Sequence, residues 1–294
     1  MQPPSLDVVN RAIGAELERA TYRYNERDVA LYALGIGAPA DPLDQDELKF
    51  VYELSSSGFQ VFPTFAVVFS YAFNRRVPSG EIAGIKYQPM MVVHGEQFLH
   101  VHRTLPRAAT VTSTITISDI YDKGSGLLMV IDILSSLEDG LELATARHSL
   151  FFRGLGGFGG ERGPSSQWVL PERPPDFTFE ERTDEAQALL YRLAGDDNPL
   201  HADPQMVASS GYEKPILHGL CTMGFAARAV LMCCGDNYPD RFKSINVRFS
   251  RHVFPGDTLV TEMWRETDEE IHFQTKVKER ALVVLSRGLM QLRD

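Results

Sequence analysis

Cysteine is scarce in this 294-residue chain: Cys221, Cys233 and Cys234 are the only three, and two of them adjoin. That is too little thiol for a disulfide framework, so a reducing compartment and three buried thiols are expected. Positive charge is short as well, with 29 Lys and Arg against 39 Asp and Glu and a net charge of −10. No basic stripe is left for nucleic acid or an anionic membrane, although single Lys or Arg residues could meet phosphates on a small ligand. Long apolar runs are missing too. The most apolar stretches, residues 62–73 and 219–234, are shorter or more interrupted than the ~20 residues of a bilayer span. The opening Met1-Gln2-Pro3-Pro4-Ser5-Leu6-Asp7 lacks the basic flank and apolar core of a secretory signal, and the final Gln-Leu-Arg-Asp is no address tag. A soluble protein without a visible targeting segment is expected.

What is present divides in two. A chain that is 44% hydrophobic can fill one large core or two ordinary ones, and at roughly 150 residues per domain two is the expectation. Between Phe151 and Pro175 the composition shifts to Gly-Leu-Gly-Gly-Phe-Gly-Gly-Glu-Arg-Gly and then Arg-Pro-Pro. The expected division is residues 1–155, a linker over 156–175, and residues 176–294. Gly154, Gly156 and Gly159 have the spacing of a dinucleotide-binding loop, but that loop must open a helix and here prolines follow, so the linker assignment is preferred.

Both halves repeat one order of elements. An apolar helix is expected after Pro63, over residues 64–71, and another after Pro215, beginning at Gly219 and ending near Cys234. Alternating or apolar runs follow each: residues 111–117 and 127–133 in the first half, and 258–263, 271–277 and 282–285 in the second. A duplicated unit of one helix on an antiparallel sheet fits this order. Asp184 to Leu193 reads as a surface helix with an apolar stripe at Ala186, Leu189, Leu190 and Leu193, with Thr183 as its cap and Gly195 just past its end.

The chemistry is expected immediately after that helix. Gly195 and Pro199 force a turn out of helical geometry and crowd Asp196, Asn198 and His201 into six residues. A carboxylate and an imidazole converging there could hold one water between them, and the sequence leaves open which of them takes its proton. Asn198 could hold the water or a carbonyl, because its amide both donates and accepts. Each residue alone has an ordinary explanation as a cap, an Asx-turn or a structural histidine; together they point to function. A metal held by Asp196, His201 and Asp203 is the weaker alternative, since the cluster is no specific metal signature. Gly219 offers an unobstructed amide at a helix start to a developing oxyanion. Cys221 in the same turn raises a cysteine nucleophile, which no second feature supports. Strand alternation places His100 and His102 on one face; Asp122 to Gly126 is first of all a hairpin turn with Lys123 exposed; and Phe249 is core filler by default.

Several stretches taken in order resemble one family: Leu31 to Ala38, His94-Gly95-Glu96-Gln97, Leu105 to Ala108, Asp122-Lys123-Gly124-Ser125-Gly126, Gly156 to Gly160, Tyr191 to His201, and Lys214 to Cys221. The chain resembles the type 2, R-specific enoyl-CoA hydratases, a MaoC-like dehydratase family that includes the hydratase unit of peroxisomal multifunctional enzymes type 2. The resemblance implies an α+β double hot-dog fold, two sheets each wrapped around a long helix. It also implies that only the second repeat carries the hydratase motif and that a degenerate first repeat widens the acyl tunnel. By motif matching it makes Asp196, Asn198 and His201 catalytic and Gly219 the amide donor to the thioester oxygen. It places His94, Gly95, Lys123, Asp197 and Phe249 against an acyl-CoA substrate. Asp197 departs from the family, where a bulky aromatic is common, and it either raises the Asp196 pKa or points to solvent. The implied activity is reversible hydration of trans-2-enoyl-CoA in fatty-acid β-oxidation, with no metal or cofactor. Homodimers and an (R)-3-hydroxyacyl-CoA dehydrogenase are the implied partners. The implied compartment is the peroxisome, or the cytoplasm for a bacterial chain. A hot-dog thioesterase and a non-catalytic acyl-CoA binding module are the alternatives.

Overall fold

The computed structural model describes residues 2–165 and 168–294. Twelve strands occur among them: β1 (Glu16–Tyr24), β2 (Glu81–Ile82), β3 (Ile85–Lys86), β4 (Val92–Val101), β5 (Ala109–Asp122), β6 (Gly126–Leu137), β7 (Glu142–Arg153), β8 (Phe177–Arg182), β9 (Phe242–Phe249), β10 (Thr258–Arg265), β11 (Glu270–Val277) and β12 (Leu282–Leu292). β2 and β3 form a separate small ribbon. The other ten build one antiparallel sheet in the order β1-β5-β6-β7-β4-β9-β12-β11-β10-β8. Read outward from the β4–β9 seam, each strand of the first half has its counterpart in the second at the same distance. The expected duplication is therefore present, with both repeats sharing a single sheet. At the seam Glu96 faces Arg248 and His100 faces Ser244.

Side-chain alternation sets the inner face. β5 buries Val111, Ser113, Ile115 and Ile117, then a bulge between Ile117 and Asp119 shifts the phase so that Ile120 and Asp122 turn inward. Asp122 thereby ends the strand with its carboxylate accepting the N–H groups of Gly124 and Gly157, each at 2.8 Å, and of Gly159 at 2.9 Å. These bonds hold its carboxyl below the usual range. A Cβ on Gly156 would lie 2.3 Å from the Gly124 carbonyl oxygen, so this close approach requires glycine. The glycine-rich segment is thus pinned to the β5–β6 hairpin and opens no helix.

The two central helices differ. Gly219–Cys234 is a 16-residue α-helix whose interior is buried nearly all round. Its counterpart is a 3₁₀ helix, Pro63–Ser70, followed by one α-turn at Tyr71–Asn74, rather than the α-helix expected over 64–71. All eight residues of the 3₁₀ helix are buried. Val67, Val68 and Phe69 are indifferent helix formers, and Ser70 Oγ donates to the Val67 carbonyl at 2.6 Å, which suits the tighter winding. Arg228, midway along the long helix and 0% exposed, pairs with Glu47 at 2.8 Å and Glu181 at 2.9 Å, tying that helix to the first half and to β8.

The helix before the proposed chemistry also departs from the expected one. It spans Gln187–Tyr191, with a 3₁₀ turn at Arg192–Ala194, and it buries Gln187, Ala188 and Tyr191. Of the expected stripe, Leu189 and Leu193 are 53% and 57% exposed. The cause is a close approach to the helix Glu26–Gly35: Gln187 Nε2 donates to the carbonyls of Leu34 and Gly35, and a Cβ on Gly35 would lie 3.3 Å from the Tyr191 Cα. Thr183 does not cap this helix; its hydroxyl donates to the Asp257 carbonyl.

Candidate active site

The turn after Ala194 begins at Gly195, whose φ of 128° and proximity to Tyr71 exclude a side chain; a Cβ there would lie 2.6 Å from the Tyr71 ring. Asp196 follows and is carried inward. Asn198 Oδ1 accepts the Leu200 N–H at 3.1 Å and so caps the 3₁₀ turn Pro199–His201. That capping role is what the structure gives Asn198, whose side chain lies on the exposed side of the turn. His201 is buried, and its Nδ1–H donates to the Ile216 carbonyl at 2.8 Å, which leaves Nε2 with a free lone pair. Asp196 and His201 are thus brought together by a few residues of local chain. They are held from outside by the segment that leads into the long helix.

Burial pushes the Asp196 carboxyl up, opposed by His201 and helped slightly by Asp197. Burial likewise pushes the His201 imidazole down, opposed by Asp196. The two proton affinities move toward each other, which is the condition for an acid and a base to exchange a proton readily. Asp197 points out to Arg75 in an exposed ion pair at 3.2 Å.

His218 was not singled out from the sequence, and it is the closest aromatic neighbour of the dyad. Its ring stacks on His201 with centroids 3.7 Å apart and 29° between planes, and its Nε2–H donates to the Asp196 main-chain carbonyl at 3.1 Å. Tyr191 packs on His218 at 4.9 Å and shares a 2.8 Å hydrogen bond with Tyr71. The sequence signal for His218 was its place directly before Gly219; Tyr71, from the other repeat, carried none. Asp196, His201 and His218 present ligand-type atoms within 4.8 Å of one another. Two stacked, nearly parallel imidazoles, however, hold their lone pairs in separate planes and do not aim them at one ion. Asp203 takes no part: it caps the helix Pro204–Ser209 through the Gln205 N–H.

Gly219 opens the long helix, and the first bond of its ladder, Thr222 N–H to the His218 carbonyl, leaves the amides of residues 219–221 ahead of it. A Cβ on Gly219 would stand 3.1 Å from the Phe249 ring at the end of β9. Phe249 in turn meets His94 edge-on at 5.0 Å, and His94 stacks on the fully buried His148 at 4.8 Å. Gly95 sits at the β4 bulge between His94 and Glu96. Gly219, Phe249 and His94 therefore form one wall across the seam. Lys123 lies elsewhere, at the hairpin tip, bonded to the Arg162 carbonyl and placed over the Tyr121 ring. Cys221 is a buried thiol donating to the Gly35 carbonyl, with a pKa pushed well up by burial, and so is unsuited to nucleophilic attack. His100 and His102 do share a face, with rings 4.5 Å apart. A cleft of about 520 Å³ between Pro39, Glu181, Glu185 and Phe225 does not include the dyad.

A mirrored ten-stranded sheet around two unequal central helices defines the double hot-dog class. Residues 22–154 match the MFE-2 hydratase 2 N-terminal domain, and residues 167–287 match the MaoC like domain. The chain is 43% identical over 291 residues to enoyl-CoA hydratase 2, peroxisomal, of Arabidopsis thaliana, covering 95% of this chain and 93% of that one. It is 44% identical over 285 residues to peroxisomal multifunctional enzyme type 2 of Mus musculus, covering 96% of this chain but 38% of that longer protein. The crystal structure of a MaoC-like dehydratase from Phytophthora capsici superposes with a TM-score of 0.89 at 36% identity, covering 97% of this chain and 98% of the other. The chain belongs to the MaoC-like enoyl-CoA hydratase 2 family.

Proposed function

We infer that the protein catalyses reversible addition of water to trans-2-enoyl-CoA in fatty-acid β-oxidation, giving the (R)-3-hydroxyacyl-CoA. The activity follows from membership of the hydratase family. The observation that carries the mechanism is the half-buried Asp196 carboxylate within 4.8 Å of a ring nitrogen of the buried His201, set beside a helix start. Asp196 and the free Nε2 of His201 grip one water; its hydroxyl adds to C3 and a proton is delivered to C2, so both its hydrogens and its oxygen end in the product. Negative charge passes to the thioester oxygen, where the Gly219 amide stabilises it by about 3 kcal/mol, the usual value of one well-placed donor. His94, Gly95 and Phe249 line the path of the acyl-CoA, the shortened first-repeat helix makes room for its tail, and Lys123 meets a CoA phosphate.

The addition is redox-neutral and draws on no metal or cofactor. A dehydrogenase acting on the (R)-3-hydroxyacyl product is the fitting partner, as the fused relatives named hydratase-dehydrogenase-epimerase suggest. The peroxisomal names of the relatives support that compartment, and a homodimer is the assembly we expect. Incubation with crotonyl-CoA tests the function: enoyl absorbance should disappear without thiol release, and chiral analysis should find the R alcohol. Released thiol would make the protein a thioesterase instead, and tight binding without conversion would make it a carrier.

A further inference from the structure

His218 meets three parts of this machinery at once. Its Nε2–H tethers the Asp196 main chain at 3.1 Å, and its ring lies flat against His201 at 3.7 Å. Its own carbonyl accepts both the N–H and the hydroxyl of Thr222, at 3.1 and 3.2 Å, which fixes the first turn of the helix that Gly219 opens. Packing alone does not account for an imidazole here. The residue is 1% exposed and its Nδ1 has no hydrogen-bond partner among the described residues, so an apolar ring would fill the same space without burying an unpaired acceptor. What an apolar ring cannot do is donate to Asp196.

The two stacked imidazoles also hold opposite tautomers. His201 carries its proton on Nδ1, facing the Ile216 carbonyl, and His218 carries its own on Nε2, facing the Asp196 carbonyl. Each is fixed by a main-chain acceptor, and each blocks the other from turning about its ring axis. Tyr191 backs His218 on the protein side at 4.9 Å and is itself held by Tyr71.

We propose that His218 is a positioning residue of the hydration site: it sets the distance between Asp196 and His201, keeps the His201 lone pair turned toward the water, and registers both against the Gly219 amide. The proposal rests on the hydratase reading above. It separates from a packing role because a group that only aligns reacting atoms affects turnover and leaves affinity alone, and misplacement of about 1 Å can cost on the order of a hundredfold.

Two variants of the full chain divide the contacts. His218→Phe keeps a flat ring against His201 and loses the donor; His218→Gln keeps a donor of similar reach and loses the ring. With crotonyl-CoA, His218→Phe should lower kcat by about 10- to 100-fold while KM, and the affinity for the saturated butyryl-CoA, stay within about twofold. His218→Gln should recover part of that loss. A kcat within about twofold of the wild type in His218→Phe overturns the proposal, as does a fall matched by equal losses of affinity and thermal stability. Should both variants fail to fold, the ¹⁵N spectrum of the wild-type histidines decides: the proposal requires His218 protonated at Nε2 and His201 at Nδ1, and the reverse tautomer at His218 overturns it. A wild-type chain without turnover on any enoyl-CoA removes the hydratase reading itself, and this proposal with it.

Discussion

The two repeats have mirrored strands and unlike helices, and the difference shows what a shared sheet can and cannot specify. Ten strands follow one order outward from the β4–β9 seam. Yet the second repeat drives a 16-residue α-helix through its centre, while the first has a 3₁₀ helix of eight residues and a single α-turn. The α-helix presents a clean start at Gly219, against which the Asp196–His201 turn docks through His218. The first repeat supplies walls instead: Tyr71 against Gly195, and His94 against Phe249. Duplicating the strands duplicated the scaffold, and the second copy sets the Asp196–His201 turn beside a helix start.

The largest effect should come from cutting the tie between the repeats. Arg228→Ala would leave Glu47 buried and uncompensated and should cost about 3–5 kcal/mol, read by chemical unfolding. A loss under about 1 kcal/mol would mean that packing, not this ion pair, seats the second helix.

Confining the chemistry to the second repeat predicts that Asp196→Asn and His201→Gln each lower hydration kcat by about a hundredfold or more, with unchanged circular dichroism. Near-wild-type rates in both would remove the dyad from the mechanism. Because burial raises the Asp196 pKa, its ionised form opposes folding at neutral pH, and Asp196→Asn should melt higher than the wild type.

Acid should act on both repeats through their buried imidazoles. Burial holds His94 down at about 4 and keeps His148, His201 and His218 below the ordinary value of 6.5. The unfolded chain takes up protons near 6.5 that the folded chain refuses, so this part of the stability is whole above that pH and is lost as pH falls toward the folded values. Asp196 works in the opposite sense and offsets part of the loss as pH falls through its raised pKa. Urea midpoints should therefore drop between about pH 7 and about pH 5, and His148→Phe should flatten the slope. A flat wild-type profile would show that these rings reach water.

The smallest effect tests the first repeat's contribution to the site. Tyr71→Phe keeps the ring against Gly195 and removes the hydroxyl that bonds Tyr191, so about 1 kcal/mol of stability and little turnover should be lost. A tenfold fall in kcat would give the first repeat a more direct part than a wall.

Local sequence made much of this legible. Gly195 and Pro199 announced the turn that gathers Asp196 and His201 because glycine and proline carry their backbone constraints with them. The helix start at Gly219 and the hairpin at Lys123 were visible for similar reasons. The stripe over Ala186 to Leu193 misled, since a short segment fits more than one face and the contact with Leu34 and Gly35 chose Gln187, Ala188 and Tyr191. Asn198 takes the local Asx-type role that its place before Pro199 allowed, its oxygen accepting the Leu200 N–H.

By itself, then, the sequence determined the elements whose causes are local: duplicated strands, a tight polar bend and a bare helix start. Only the tertiary structure decided that Cys221 is an inert thiol beside Gly35 and that His218 lies flat on His201. Those outcomes depend on groups tens to hundreds of residues apart meeting at a few ångströms, and on the loss of water that burial brings. Neither quantity is written in the spacing of neighbouring residues.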